Sequence, residues 1–194
     1  MNHINLLSKI NRLFHTKLIR GVQLSTANVM GPTPQKTHPK LDENYRNIIA
    51  MKSLILLAGN KDERNFAASM IPIQKDICLV YLFFIEHPSG RAGIFDASVS
   101  FIVDSRIRNL LIKSMNQATR EIERYLKESK PSVDKNGDII SLKKPIQSLY
   151  ESLKEILLMN SDPIQVFEIG NTKSDIDEFK KSINDLRSML SKFD

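Results

Sequence analysis

Residues 77–103 alternate in a pattern that predicts a β-hairpin. The first arm, Ile77 to Ile85, is apolar at every position, so both faces of that strand need cover. The second arm, Phe95 to Val103, alternates apolar with polar residues, which predicts one buried face and one that meets water or a partner. The residues on its polar face are Asp96, Ser98 and Ser100. A turn rich in glycine and proline joins the two arms.

Three further stretches carry apolar residues at helical spacing. Asp42 to Ala58 opens with a residue that can cap a helix. Ser105 to Lys127 has one apolar stripe, with basic and acidic residues interleaved on the remaining surface. Pro145 suits a first helical turn and predicts a helix to about Met159. Between the last two, Asn136-Gly137 predicts a tight turn that joins two short extended pieces.

The last part of the chain predicts a strand at Ile164 to Ile169 and a helix that begins at Ser174. Ser174 and an acidic residue three positions later form a capping-box signature. The apolar stripe of this helix continues for fewer than three heptads, which favours docking on a core over a coiled coil. The apolar stripe needs a surface to cover it, and we expect it to form a partner-binding face. Its members are Phe179, Ile183, Leu186 and Leu190.

Together these elements predict an α+β fold. We expect a single domain at residues 42–194, with a small, mainly antiparallel sheet built on the 77–103 hairpin and three to four helices packed on it. Residues 1–41 are expected to form an unfolded or helical N-terminal arm. Its last part, Val29 to Leu41, contains three prolines and one glycine and predicts an extended linker.

The net charge of +6 arises entirely in the arm. Residues 1–41 contain six Lys or Arg and no Asp or Glu, although the whole chain has 28 basic and 22 acidic residues. The remainder of the chain is therefore neutral. A basic balance confined to one arm does not indicate a nucleic-acid-binding domain.

The arm has the composition of an organellar transit peptide: basic, free of acidic residues and containing Ser and Thr. Apolar residues between Leu6 and Leu18 recur at helical spacing. The segment from Arg20 to Ser25 resembles a mitochondrial presequence processing region, in which an Arg lies two residues before the cut. This resemblance implies a location in the mitochondrial matrix or on the matrix side of the inner membrane. The alternatives are a disordered basic arm and a membrane-surface helix.

Known cofactor and metal motifs are missing from the sequence. Cys78 is the only cysteine and lies in an apolar strand. Asn60 to Glu63 resembles the guanine-specificity loop of GTPases, but no phosphate-binding loop accompanies it. Asp134 to Ile139 resembles part of an EF-hand loop that lacks the first and last ligands. We therefore expect no cofactor, no metal and, because the longest apolar runs are short, no membrane span.

The turn of the central hairpin carries the candidate polar cluster for a motif-free active site. A His, a Ser and an Asp are the side chains of hydrolytic triads, but this Ser lacks the strand-to-helix context of a nucleophile elbow. The members of the cluster are His87, Ser89, Arg91 and Asp96.

These features predict a non-catalytic mitochondrial protein that acts through protein-protein contacts. It would be an assembly factor or an accessory subunit of a respiratory, translational or import complex. One alternative is a small matrix enzyme whose site lies at the polar cluster of the hairpin turn. The other is an RNA- or ribosome-binding module that uses the basic face of the helix at Ser105 to Lys127.

Overall fold

The computed structural model describes residues 18–58 and 68–161 and shows an α+β fold. Its strands are β1 (Ile19–Asn28), β2 (Gly31–His38), β3 (Ala68–Ile73), β4 (Asp76–Arg91), β5 (Ile94–Asp104), β6 (Ser132–Val133) and β7 (Ile139–Ser141). Its helices are α1 (Glu43–Ala58), α2 (Arg108–Ser129) and α3 (Ile146–Asn160). Strands β1 to β5 form an antiparallel sheet in the order β2-β1-β5-β4-β3.

The central hairpin is confirmed. Strands β4 and β5 pair from Asp76 opposite Asp104 to Glu86 opposite Ile94, where an irregularity precedes the turn. The turn itself is short, because Ala92 and Gly93 both have positive φ and reverse the chain directly. Since β1 pairs with the other side of β5, the hairpin occupies the middle of the sheet.

One sheet face packs against α2 and α3 and forms the main core. The residues that alternate along β4 from Ile77 to Ile85 lie here, as do those along β5 from Phe95 to Val103. The helices add the stripe predicted from the sequence, of which Leu111 and Ile122 are completely buried. Removal of this apolar surface from water is the main stabilisation of the fold.

The other sheet face packs against α1, and here the sequence-based expectation was wrong. Ser98 and Ser100 were expected to meet water or a partner, yet both are completely buried under the protein's own helix. The hydroxyls of Ser53 and Ser98 share a hydrogen bond of 3.0 Å, and the Gln23 side-chain amide donates to the Arg46 carbonyl at 2.9 Å. Small polar side chains let the helix approach the strands closely, and the hydrogen bond of Ser98 offsets part of the cost of its burial. The Ser100 hydroxyl has no hydrogen-bond partner in the part of the chain that the structure describes.

The expected boundary at Asp42 was also wrong, because the folded part already includes Leu18. Strand β1 is an inner strand whose Val22 and Leu24 are completely buried. The stretch expected to be a linker contains β2, which pairs with β1 from Val22 opposite His38 to Asn28 opposite Gly31. Its prolines are compatible with pairing because β2 is an edge strand.

An ionic network closes the end of the sheet at which β1 begins. The Arg20 guanidinium contacts Asp76 at 3.1 Å and Asp104 at 2.9 Å. Asp104 also binds Arg106 at 2.8 Å, and the Tyr45 hydroxyl donates to Asp76 at 2.6 Å. Both carboxylates are buried, so they need these partners in place of water. The network joins three strands to α1.

The three helices agree with the sequence prediction. Asp42 accepts a hydrogen bond from the Tyr45 amide at 3.1 Å and so caps α1. The short hairpin β6-β7 turns at Asn136 and Gly137, as predicted. Several expectations fall outside the described residues. These are the helical pattern that begins at Leu6, the loop Asn60 to Glu63, the strand at Ile164 to Ile169 and the helix from Ser174.

Asparagine at position 104 should lower the free energy of unfolding by about 1–3 kcal/mol at pH 7, because two charge-assisted contacts are weakened. The Arg106 hydrogen bond holds the pKa of Asp104 below its ordinary value. Its stabilisation is therefore present above the unfolded pKa of about 4 and is lost as the pH falls through the lower folded value. Urea unfolding of wild type and Asp104→Asn from pH 7 to pH 2 measures both effects.

The difference between the two proteins should shrink only below about pH 4. Asp96→Asn, at an exposed position of the same strand, is the control and should change stability little. A constant difference down to pH 2 would show that the charge of Asp104 is not what stabilises this end of the sheet.

Candidate functional site

Three chain reversals meet at the end of the sheet opposite the ionic network. They are residues 28–31 at the β1-β2 turn, residues 86–94 at the end of β4 and the start of β5, and residues 134–139 at the β6-β7 turn. We call these three segments the hairpin end. The antiparallel register brings the first two together, and the third packs on both of them through Gly137.

The reversal at residues 134–139 is organised by Asp134. Its carboxylate accepts the backbone amides of Asn136 at 2.8 Å and Asp138 at 3.0 Å. The backbone hydrogen bond from Asp138 is the main cause of a lowered pKa at Asp134. Gly137 has φ +91°, and a Cβ there would lie 2.7 Å from the Phe95 ring. The partial resemblance to a calcium loop is thus explained by a tight turn in which the Asp134 carboxylate accepts hydrogen bonds from backbone amides.

Asp138 fastens this reversal to the first hairpin. One of its carboxylate oxygens accepts from the side-chain amides of Asn28 at 2.7 Å and Gln35 at 2.8 Å. The side-chain Oε1 of Gln35 in turn accepts from the Ile139 backbone amide at 3.0 Å. The backbone amide of Val29 donates to the Asn136 carbonyl, also at 3.0 Å. The tip of the β1-β2 hairpin is therefore held by side-chain and backbone bonds from residues distant in the chain.

The polar cluster proposed from the sequence does not converge. The His87 ring accepts from the Ser89 backbone amide at 3.2 Å and lies 6.0 Å from the Phe95 ring. Asp96 follows Phe95 in the strand, so its side chain points to the opposite face of the sheet. Arg91 is exposed, opposite Ile94. This arrangement gives the Ser89 hydroxyl no His-Asp relay among the described residues.

A groove of about 580 Å³ opens beside the hairpin end, between β4 and the last turns of α2. Buried apolar side chains of β4 form its floor, and Glu86, Glu123 and Lys127 lie along its rim. The Tyr81 hydroxyl reaches Glu123 at 3.4 Å, and burial, followed by the nearby Glu123, raises the pKa of Tyr81 to about 12. The volume is in the range of ligand and peptide sites. The remaining lining residues are Phe83, Phe84, Ile85, Leu126, Pro131 and Ser132.

The hairpin end also exposes large apolar side chains. Val29 is 69% exposed and Met30 is 89% exposed at the first tip, and Ile140 of β7, directly after the third reversal, is 66% exposed. Sequence reasoning missed the first two because it placed them in a linker. The pattern Val-Gln-Leu-Ser at residues 22–25 was the available signal for the strand that leads to them. Isolated exposed apolar residues are common on protein surfaces, and these three differ in lying on or beside reversals that hydrogen bonds hold in place.

Residues 18–58 and 68–161 were also compared with the expectations for a metal site, a reactive cysteine and a membrane-spanning helix. No group of three or more His, Cys, Asp or Glu side chains is placed to hold a metal ion there. Cys78 is buried, and burial raises the pKa of its thiol. In the same part of the chain, no helix has the length and apolar character needed to cross a membrane. The face at Phe179, Ile183, Leu186 and Leu190 lies outside the described residues.

Comparison with known proteins adds no assignment: no protein-family model matches the chain, and no curated protein matches it in sequence.

Replacement of Asp138 by alanine should loosen the first tip, because Asn28 and Gln35 lose a shared acceptor. We expect the free energy of unfolding to fall by about 1–3 kcal/mol and exchange of the Val29 amide to accelerate. Hydrogen exchange followed by NMR measures the second effect directly. Lys135→Ala, at an exposed position of the same reversal, is the control. Unchanged exchange at Val29 in Asp138→Ala would contradict the proposed bracing.

Proposed function

We propose that this chain is a non-catalytic mitochondrial protein that binds protein partners through the apolar tip of its hairpin end. In this proposal it serves as an assembly factor or accessory subunit of a respiratory, translational or import complex. The observation that carries the proposal is the exposure of Val29 and Met30 on a reversal that residues 134–139 hold in place.

The rigidity of this tip supports a binding role. A loop that is ordered before contact loses less conformational entropy on binding than a mobile loop does. Four hydrogen bonds to Asp138, Asn136 and Ile139 supply that order without covering the side chains of Val29 and Met30. Large apolar side chains in such a position contribute strongly to affinity when a partner buries them.

The adjoining edge strand favours contact through side chains over strand addition. Pro32 and Pro34 lie in β2, the edge strand that follows the tip. Neither residue has a backbone N–H, so β2 offers few donors to a further strand. A partner at this end would therefore meet the side chains of Val29, Met30 and Ile140.

The geometry of the hairpin turn supports the non-catalytic part of the proposal over the enzyme alternative. His87 and Asp96 lie on opposite faces of the sheet, so they do not form a catalytic pair. The RNA alternative loses support at two positions of its basic face, because Arg106 pairs with Asp104 at 2.8 Å and Arg124 pairs with Glu121 at 2.7 Å.

The mitochondrial part of the proposal depends on the first residues of the chain. Residues 1–17 contain Lys9, Arg12 and Lys17 and no acidic residue. This composition is typical of a transit peptide. Because Arg20 belongs to the ionic network, a cut within residues 20–25 would remove part of an inner strand. We therefore place processing before Leu18.

The binding proposal predicts that Val29→Ser with Met30→Ser lowers recovery of copurifying partners about tenfold, because the apolar contact is lost. Quantitative mass spectrometry of the tagged full chain, purified from its own cells, measures the change. Ile112→Ser is the control, since Ile112 is an exposed apolar residue of α2 outside the hairpin end. Equal recovery from all three proteins would contradict a binding role for the tip.

The location proposal predicts that the tagged chain fractionates with mitochondria and that its mature N terminus lies before Leu18. Fractionation followed by N-terminal sequencing measures both. Replacing Lys9, Arg12 and Lys17 together by glutamine should leave the protein in the cytosol, since import signals require positive charge. A cytosolic wild-type protein, or a mature chain that begins after Arg20, would refute this assignment.

A further inference from the structure

The third reversal of the hairpin end contains the single Asn-Gly pair of the chain, Asn136 and Gly137. Because glycine has no Cβ to hinder attack, its backbone nitrogen can react with the Asn136 side chain. The nitrogen bonds to the carbonyl carbon Cγ, and Nδ2 leaves as ammonia with the proton of the Gly137 amide. Water then opens the cyclic imide to aspartate or isoaspartate. We propose that Asn136 is a deamidation site and that opening of the hairpin end sets its rate.

This inference does not rest on the proposed function. The reaction needs only the chain and water, so it would occur whether or not the tip at Val29 and Met30 contacts a partner. Its bearing on that tip is a change in order, because the reversal that contains Asn136 also holds the tip in place.

The closed hairpin end restrains the attacking nitrogen. The Gly137 N–H donates to the Asp134 carbonyl at 3.1 Å, so this nitrogen is engaged in the turn. Gly137 is buried, and a Cβ there would lie 2.7 Å from the Phe95 ring and 3.0 Å from the Asn28 Cα. These neighbours hinder rotation of the Gly137 backbone toward Cγ of Asn136. The reaction therefore requires the reversal to open first.

Gln35 of β2 resists this opening from a distant part of the sequence. Its Nε2 donates to the Asp138 carboxylate at 2.8 Å, and its Oε1 accepts from the Ile139 amide at 3.0 Å. Both bonds join the reversal to the edge strand, and neither involves Asn136 or Gly137. Loss of the two bonds should raise the open population, and with it the deamidation rate, about tenfold.

The products would weaken the turn in which they form. The Asn136 Nδ2 lies 3.5 Å from the Asp134 carboxylate. In the aspartate product a second carboxylate replaces this donor, and two like charges at that separation repel each other. In the isoaspartate product the main chain passes through the former side chain. The carbonyl that accepts from the Val29 amide then becomes part of a free carboxylate. Deamidation would therefore loosen the tip, and neither product returns to asparagine.

The rate of deamidation in the full chain tests the control by the hairpin end. Peptide mapping by mass spectrometry after incubation at mildly alkaline pH measures that rate at Asn136. Gln35→Ala should react about tenfold faster than wild type. Lys36→Ala, at the neighbouring exposed position of the same strand, is the matched control and should react like wild type. Neither change alters the residues next to the Asn-Gly pair.

Two further rates make the test decisive. Wild type unfolded in urea should react at least about tenfold faster than the folded protein, because every chain is then open. Asn160, which precedes Ser161 at the end of α3, is the internal reference and should react equally in all three folded proteins. The proposal is overturned by no reaction in the unfolded chain, by equal folded and unfolded rates, or by equal rates in Gln35→Ala and Lys36→Ala. Acceleration at Asn160 as well would also overturn it, since the opening would then involve the whole fold.

A fixed copy of the aspartate product tests the effect on the tip. Asn136→Asp should accelerate hydrogen exchange of the Val29 amide about tenfold, because the two carboxylates repel and the turn opens more often. Lys135→Gln changes the net charge by the same amount at an exposed position of the same reversal and should leave this exchange unchanged. Equal exchange of the Val29 amide in the two variants would overturn the link between deamidation and the tip.

Discussion

The structure depends on one strand that is apolar on both faces. Strand β4 places Tyr81 and Phe83 on one side and Cys78 and Val80 on the other, and all four are buried. Burial of each large side chain stabilises the fold by roughly 1.5–3 kcal/mol, and leaving either face in water would forfeit that contribution. Both sides therefore require cover, which α2 and α3 provide on one face and α1 on the other. The layered arrangement follows from this requirement.

The two helix-sheet interfaces differ because the side of β5 that faces α1 is mostly polar, with Ile102 as its buried apolar residue. Toward α2 and α3 the strand presents large side chains that interdigitate with the helices. Toward α1 it presents Ser98 and Ser100, which cannot fill a wide gap but permit close approach. The second interface consequently combines a small apolar cluster with hydrogen bonds such as that between Ser53 and Ser98. Helix α1 supplies a polar partner to Ser98 but not to Ser100, whose buried hydroxyl has no hydrogen-bond partner within residues 18–58 and 68–161. A small polar side chain can therefore be buried at a close helix-strand contact even at the cost of one unpaired hydroxyl.

Local patterns allowed much of the fold to be predicted from the sequence. The hairpin of β4 and β5, the three helices and the turn at Asn136 and Gly137 each depend on residues close together in the chain. Strands β1, β2 and β3 were missed: β1 was attributed to a targeting segment, the prolines of β2 suggested a linker, and no element was predicted at the position of β3. Partners of β1 and β2 lie far along the chain: Gln35 binds Asp138 across 103 positions. No local pattern reports a contact of that range.

The candidate site was predicted only in part, because it also depends on contacts between residues that are distant in the chain. Sequence reasoning located the hairpin turn and placed Asp96 on the polar face of β5. It could not determine on which face His87 lies, because the irregularity after Glu86 shifts the alternation. The exposed tip at Val29 and Met30 became visible only when β1 and β2 were seen to pair. A surface formed by reversals that meet in space is a property of topology, and composition alone does not reveal it.

The ionic network limits what the basic N-terminal region can do. The sequence places Arg20 in the basic arm with transit-peptide composition, yet its side chain forms ion pairs with Asp76 and Asp104 at the end of the sheet. Its removal would leave two buried carboxylates short of a cation, a change that typically costs about 3–5 kcal/mol. A targeting segment must therefore end before β1. The targeting segment and the folded sheet therefore use different residues in this hypothesis. It depends on residues 1–17 rather than 1–41, because β1 and β2 lie within residues 19–38.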